Sequence, residues 1–443
     1  MNKELFEEYP IPKAIGKLAM PTILGMLINI IYNMADTFFV AKTQDQNQVA
    51  AVTLCLPIFL LLMSFGNIFA IGGGAYVSRL LGEKNYEKIK NVTSFSFYFC
   101  IVTGIICTLT LILFIEPVLK FIGTSTNTYN FSKSYLIILS LGATFICLQT
   151  AFGGIIRAEG ASKQAMIGMM IGTILNIVLD PIMILNMNMG ITGAALATII
   201  GNIASCVYYI YYLLFKKTCL SINIKYFSLQ TNIIKNILII GIPVSLNTIL
   251  ISAANIILNN FAAHYSDTVV TALGISGRVS TIAIMLLLGL SQGSQPFIGY
   301  NFAAKNYTRM NKAIKFSMAC AIIIGTTSFL TTFIFAEQIV KIFLKEPPQV
   351  IEYGKYFIKA TMSAYTILGV QFILMSTFQA MGKGGSALIV SLCRQGFAFV
   401  PAIIIGNMLF ELNGIVWAQP FADIISVFIA SIMYIIIQKN LKK

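Results

Sequence analysis

Two carboxylates stand where a carboxylate is costly. Asp36 lies within PTILGMLINIIYNMADTFFVA, residues 21–41, and Asp180 within MIGMMIGTILNIVLDPIMILN, residues 166–186. Each stretch is long and apolar enough to cross a bilayer, and an acid inside such a segment marks an ion or ligand pathway by default. Asn29, Asn33 and Asp36 follow at i, i+4 and i+7 on one helical face, and Asn176 and Asp180 share a face four residues apart. Thr198 adds a hydroxyl in GAALAT of the next segment. Pro181 removes a backbone hydrogen bond next to Asp180 and leaves carbonyls free to accept elsewhere. At 1.5 Å per residue, Asp36, Asp180 and Thr198 all fall roughly 9–12 Å below the same membrane face. Two carboxylates in one low-dielectric pocket cannot both stay ionised without a cation, so a metal ion sits between them or one of them binds a proton. The expected chemistry is therefore binding and release of Na⁺ or H⁺ by Asp36, Asn176, Asp180 and Thr198.

The elements that must hold these groups are membrane helices. The chain has 443 residues, 57% hydrophobic and only 10% charged, against about 25% charged in soluble domains. Its mean hydropathy is +0.82. Apolar segments are read at 12–41, 49–78, 92–115, 135–156, 164–186 and 190–215, then at 236–261, 268–300, 314–336, 353–379, 386–408 and 412–437. The expected class is an all-α integral membrane protein with twelve transmembrane helices, its main partner the lipid bilayer. A formal charge of +14 could suggest nucleic acid. That reading fails, because 22 of the 30 lysines and arginines fall in one alternating set of loops and seven in the other, with Arg278 inside a segment. The bias predicts that both termini are cytoplasmic. The leader Met1–Ile11 is polar and resembles no cleavable signal. Eight cysteines form no CxxC pair, there is no GxxxxGK[ST], and His264 is the single histidine. An enzyme, a cofactor site and direct ATP drive are accordingly not expected.

The two halves repeat. Ala19-Met20-Pro21 and Gly241-Ile242-Pro243 open corresponding segments at an offset of 222. Glu83-Lys84-Asn85-Tyr86 pairs with Ala304-Lys305-Asn306-Tyr307 at 221, and Arg157-Ala158-Glu159-Gly160 with Gln379-Ala380-Met381-Gly382 at 222. Six segments per repeat is an even number, so the halves share orientation about an axis along the membrane normal. This predicts two pseudo-symmetric six-helix lobes, 1–215 and 236–443, joined by a linker at 216–235. In the second lobe Arg278 and Asp423 lie at similar depth and are expected to pair, since an unpaired buried arginine is expensive. Asn33, Gln149, Asn255 and Gln371 are candidates for the central cleft, and the methionines could form a deformable wall there.

On these residues the sequence resembles the multidrug and toxic compound extrusion (MATE) family. The resemblance is carried by YNMADTFFV, GGGAYVSRLLGEKNY, NIVLDP, GITGAALAT, GISGR and QGSQPFIGYNFAAKNY, and spans essentially the whole chain. It is nearest the MepA-like branch of bacterial multidrug exporters. The resemblance implies a two-lobe antiporter in the bacterial inner membrane, acting as a monomer and expelling bulky cationic or aromatic drugs and toxins against inward Na⁺ or H⁺. It also implies a cation site at Asp36, Asn176, Asp180 and Thr198. A flippase for lipid-linked oligosaccharides, from the same superfamily, is the alternative and would call for a cluster of basic residues in the cleft. The repeat counterparts of Asp36 and Thr198 are Leu258 and Gln419, so no second cation site is expected in the second lobe.

Overall fold

The structure is a computed structural model that describes residues 3–343 and 348–442; Lys345 and Lys443 of the charge pattern lie outside them. Every regular element among the described residues is helical. Nine helices among them are long and apolar enough to cross a membrane. Two bent pairs, Tyr129–Leu141 with Ala143–Ala158 at 55° and Pro348–Ser363 with Tyr365–Ala380 at 46°, each make one more. One of the nine, Gly384–Leu441, runs 58 residues, far beyond the roughly 20 that span a hydrocarbon core. It reverses at Glu411, whose φ is 52°. There the backbones of Gly406 and Gly414 touch, and a Cβ on Gly414 would lie 1.9 Å from the Gly406 carbonyl oxygen. Dividing it at that turn gives the twelve spans expected.

The spans are α1 (Ile11–Ala41), α2 (Gln46–Gly82), α3 (Tyr86–Leu113), α4 (129–158), α5 (Ser162–Asn186) and α6 (Gly190–Phe215). The second set is α7 (Thr231–Ala263), α8 (Asp267–Ala303), α9 (Tyr307–Ile334), α10 (348–380), α11 (384–410) and α12 (412–441). The repeat is visible in single residues. Lys84 and Lys305 both take left-handed backbone, with φ of 58° and 57°. The following Asn85 and Asn306 each cap a helix, accepting from the Lys88 and Arg309 amides at 3.1 Å. An asparagine oxygen at that position satisfies one of the amides a helix start leaves without a partner.

Large apolar side chains cover the outside, with Leu113 75% and Met408 77% exposed, as lipid-facing positions require. Inside, the largest apolar core is shared by α1, α2, α4 and α6 with α8, α9 and α10. Two smaller cores belong to one lobe each, around Leu136 and Ile191 in the first and Phe399 and Ile415 in the second. The lobes meet most closely toward the membrane face that carries the chain ends. A Cβ on Gly293 of α8 would lie 2.4 Å from Ala19 Cα of α1, and one on Gly72 of α2 would lie 2.3 Å from the Ile237 carbonyl oxygen of α7. Small residues permit this backbone contact where lipid supplies no hydrophobic drive for association.

The first residues of the chain reinforce that closure. Phe6, 3% exposed, stacks on Tyr300 of α8 at 4.7 Å between ring centres. Tyr300 Oη donates to Glu7 at 2.6 Å, and Arg309 of α9 donates to the Phe6 and Tyr9 carbonyls at 2.8 and 2.6 Å. Phe6 also rests on Gly160, after α4. The linker docks onto the first lobe, where Glu159 accepts from Thr218 Oγ1 at 2.7 Å and from the Cys219 amide at 2.8 Å. Burial and the neighbouring Glu159 carboxylate push the Cys219 thiol well up, so it stays protonated there.

Candidate functional site

The helix register brings the expected residues together. Asn176 and Asp180 of α5 are 2% and 0% exposed, and Thr198 of α6 is 5% exposed. Asn176 Nδ2 donates to Thr198 Oγ1 at 3.4 Å. The Thr198 hydroxyl also meets Tyr32 Oη of α1 at 3.4 Å. Asn202, one turn further along α6, donates to the Thr198 carbonyl at 2.8 Å. Asp36, one turn from Tyr32 on α1, interacts electrostatically with Asp180. Helices one, five and six therefore converge, as their spacing implied.

What distinguishes the cluster is its unmet hydrogen-bonding capacity. Asp36 Oδ1, Asn176 Oδ1 and both carboxylate oxygens of Asp180 are buried without a hydrogen-bond partner. Nine such side-chain atoms occur among the described residues, and four of them are here. Buried polar atoms are normally paired, and leaving one unpaired costs about 1–3 kcal/mol. The Asp36 and Asp180 carboxylates also act unfavourably on each other when both are charged. Protons or a cation would relieve both penalties, and the donor set of two carboxylates, an amide oxygen and a hydroxyl suits a hard cation such as Na⁺. Among the described residues no three His, Cys, Asp or Glu side chains come together, so a site built for a softer transition metal is not formed.

Two tyrosines belong to this neighbourhood that the sequence reading passed over. Tyr32 could have been found, because it sits four residues before Asp36 on the same face. Tyr135 of α4 is 7% exposed and within electrostatic reach of both aspartates; nothing in its own segment signals this. Just past Asp180 the helix widens into a π-helical turn from Pro181 to Asn186, the backbone irregularity that the proline implied.

Two cavities lie beside the cluster, of about 280 and 250 Å³. Asn29, Met63, Gln149, Met169 and Met285 line both. The smaller reaches Tyr32, Asn176 and Thr198. The larger runs to Arg157, Gln292 and Gln295 near the closed face. Gln149 thus borders the central space. Gln371 does not: it is 2% exposed and accepts from Ser426 at 2.8 Å inside the second lobe. Asn255 is exposed and lines neither cavity. The Asn33 side chain lies outside the described residues.

The second lobe corrects one expectation. Asp423 pairs with Arg394, not with Arg278: Arg394 Nε donates to Asp423 Oδ1 at 2.7 Å. Gln419 donates to the same oxygen at 2.9 Å. Arg394 sits in a π-helical turn, Cys393–Phe397, and lies over the Phe372 ring at 5.5 Å. Arg278 is exposed, on the α8 face that carries Met285, Leu288 and Gln292 at helical spacing. Similar depth in the sequence does not make Arg278 and Asp423 partners, because the helix face decides which neighbour each one meets.

Comparison with known proteins agrees with this architecture. The MatE family model matches twice, at residues 21–182 and 243–404, and its two starting positions are 222 residues apart, the offset of the internal repeat. The chain is 33% identical over 436 residues to the multidrug export protein MepA of Staphylococcus aureus, covering 98% of this chain and 96% of that one. It is 33% identical over 425 residues to MepA of Staphylococcus haemolyticus, covering 96% and 93%. Among solved structures, an outward-facing multidrug resistance MATE transporter of the MOP superfamily superposes with a TM-score of 0.94 at 24% identity, covering 99% of this chain and 98% of that one. A MOP superfamily transporter from Pyrococcus furiosus, described as having a binding pocket of reversed polarity, gives 0.92 at 25% identity, covering 99% and 98%. With two six-helix lobes, a matching repeat and near-complete coverage, this chain belongs to the MATE family of multi-pass membrane transporters, in its MepA-like branch of multidrug exporters.

Proposed function

We propose that the protein is a secondary antiporter, which expels bulky cationic or aromatic compounds while Na⁺ or H⁺ enters through the first lobe. The observation that carries this reading is the set of four orphaned buried oxygens on Asp36, Asn176 and Asp180. A cation or proton arriving there neutralises the cluster, and Asp36 and Asp180 are the groups that would hold it, with Thr198 and Asn176 completing the set. The central cavities, walled by methionine and amide side chains, take the exported compound. Soft thioether walls repack around different shapes, which suits a multidrug site. Coupling requires that ion and drug favour different arrangements of the lobes, since a ligand that binds both arrangements equally shifts nothing.

On this reading the lobes correspond to 1–215 and 236–443, both termini are cytoplasmic, the chain acts as a monomer in the inner membrane, and no cofactor beyond the coupling ion takes part. The closed face then points to the cytoplasm. The alternative, a flippase for lipid-linked oligosaccharides, is less well supported, because a pyrophosphate calls for several basic groups and, among the described residues, Arg157 is the one charged residue lining the two cavities.

The deciding experiment is drug efflux in inverted vesicles with Na⁺ and proton gradients imposed separately, on the wild type, Asp36→Asn and Asp180→Asn. One gradient should drive export in the wild type, and neither variant should respond to it. Normal gradient-driven export by both variants sinks the assignment.

A further inference from the structure

Arg157 is left unused by the coupling scheme, and its setting is unusual. Among the described residues it is the only charged side chain lining either central cavity, and no acid lines them. A guanidinium carries five N–H donors. The side chain that accepts from it is Gln292 of α8, a neutral amide. None of the ion pairs among the described residues includes it. Beyond Gln292 it has no acceptor among the described residues, and the side chain lines the larger cavity. A cation held without a carboxylate partner among packed helices is expensive.

The fold does not demand that expense. The repeat counterpart of Arg157 is Gln379, at the same end of α10. Gln379 is 5% exposed and accepts from Gln295 at 3.4 Å. A glutamine therefore closes the equivalent helix end in the second lobe with a neutral pair. The charge in the first lobe calls for a use other than packing.

We propose that Arg157 is the specificity-determining residue of the larger cavity, and that it takes the oxyanion of an aromatic compound bearing a carboxylate or sulfonate. The apolar body of that compound lies against Met26, Met63, Met166 and Met169, which share the cavity. The planar fork of the guanidinium matches a carboxylate through two parallel hydrogen bonds. Because Gln292 belongs to the opposite lobe, a ligand acid that replaces it as acceptor removes a bond between the lobes at their closed face. Binding of such a ligand thus favours parting of that face, the differential interaction that coupling requires. This inference rests on the cavity being the drug site.

The test uses full-length protein in nanodiscs and two probes: a xanthene dye with a free carboxylate, and the ethyl ester of the same dye. Equilibrium binding is measured by fluorescence anisotropy. The wild type should bind the carboxylate form about tenfold or more tightly than the ester, the scale of a charge-assisted hydrogen bond. Arg157→Gln should abolish that preference and hold the ester within about twofold, while Arg157→Lys should keep part of it, as expected for a point charge without the fork. Equal or weaker binding of the carboxylate form by the wild type overturns the proposal without recourse to any variant. An unchanged preference in Arg157→Gln overturns it too. If the wild type binds neither dye, the cavity is not the drug site, and that reading falls together with this one.

Discussion

Each lobe of this transporter buries aspartate, and the two lobes treat it in opposite ways. In the second lobe Asp423, 1% exposed, is met by the Arg394 guanidinium and the Gln419 amide. Its charge is answered by the protein itself. In the first lobe Asp180 is 0% exposed and neither carboxylate oxygen has a partner. No side chain among the described residues answers its charge. An aspartate with a built-in partner is held by the fold itself, whereas one without a partner has the free acceptors that the proposed cation site requires. The pseudo-symmetry thus stops short of the chemistry: the two lobes share helix count, caps and loop conformations, but among the described residues the buried carboxylate oxygens without a partner are all in the first.

The contrast can be broken from either side. The largest effect should come from separating the second-lobe pair. Arg394→Gln or Asp423→Asn alone should cost about 3–5 kcal/mol of stability, because the partner is left charged and buried. The double variant should recover much of that loss, read as thermal unfolding in detergent. A double variant no more stable than the worse single one would show that the two do not act as a pair.

Next in size is Asp180→Asn, which should lower ion-driven efflux by about 100-fold, equivalent to roughly 2.7 kcal/mol. Its unfolding temperature should hold or rise, since an unanswered carboxylate has been removed. A fall in stability like that of Asp423→Asn would erase the distinction between the lobes. The N-terminal segment offers a smaller test. Arg309→Gln removes the donors to the Phe6 and Tyr9 carbonyls and should loosen the closed face by about 1–2 kcal/mol. Faster labelling of a cysteine placed at Ala161 would report it, and an unchanged rate would show that Phe6 alone suffices. Smallest of all, Tyr32→Phe deletes one long hydrogen bond to Thr198 and should weaken cation affinity about two- to fivefold. A null result would place Tyr32 outside the ion's coordination and leave Asp36, Asn176 and Asp180 to carry it.

Much of the first-lobe site was legible before any coordinates, because its logic is local. Asn176 and Asp180 are four apart, Asp36 is an acid in an apolar run, and Thr198 lies a fixed distance past a tight turn; helical periodicity and rise place all four. The second-lobe pair was not legible for the converse reason. Arg394 stands in a π-helical turn, where the 3.6-residue period that assigns faces is interrupted, and its partner is 29 residues away on another helix. In the sequence Arg157 stands at the end of an apolar segment, where a basic residue ordinarily sets orientation. Only the approach of α8 shows that it borders a cavity and meets Gln292.

The sequence by itself determined the twelve membrane helices, the repeat at an offset near 222 and the placing of the first-lobe acids within apolar helices. All of these follow from hydropathy and from the geometry of a single helix. Tertiary structure decided which face of each helix meets which neighbour: that Asp423 takes Arg394, that Tyr135 reaches the aspartates, and that Arg157 faces open space. The division has a physical cause. Rise and period are properties of the backbone, identical in every helix, whereas the rotation and tilt of one helix against another are set by the packing of many side chains at once.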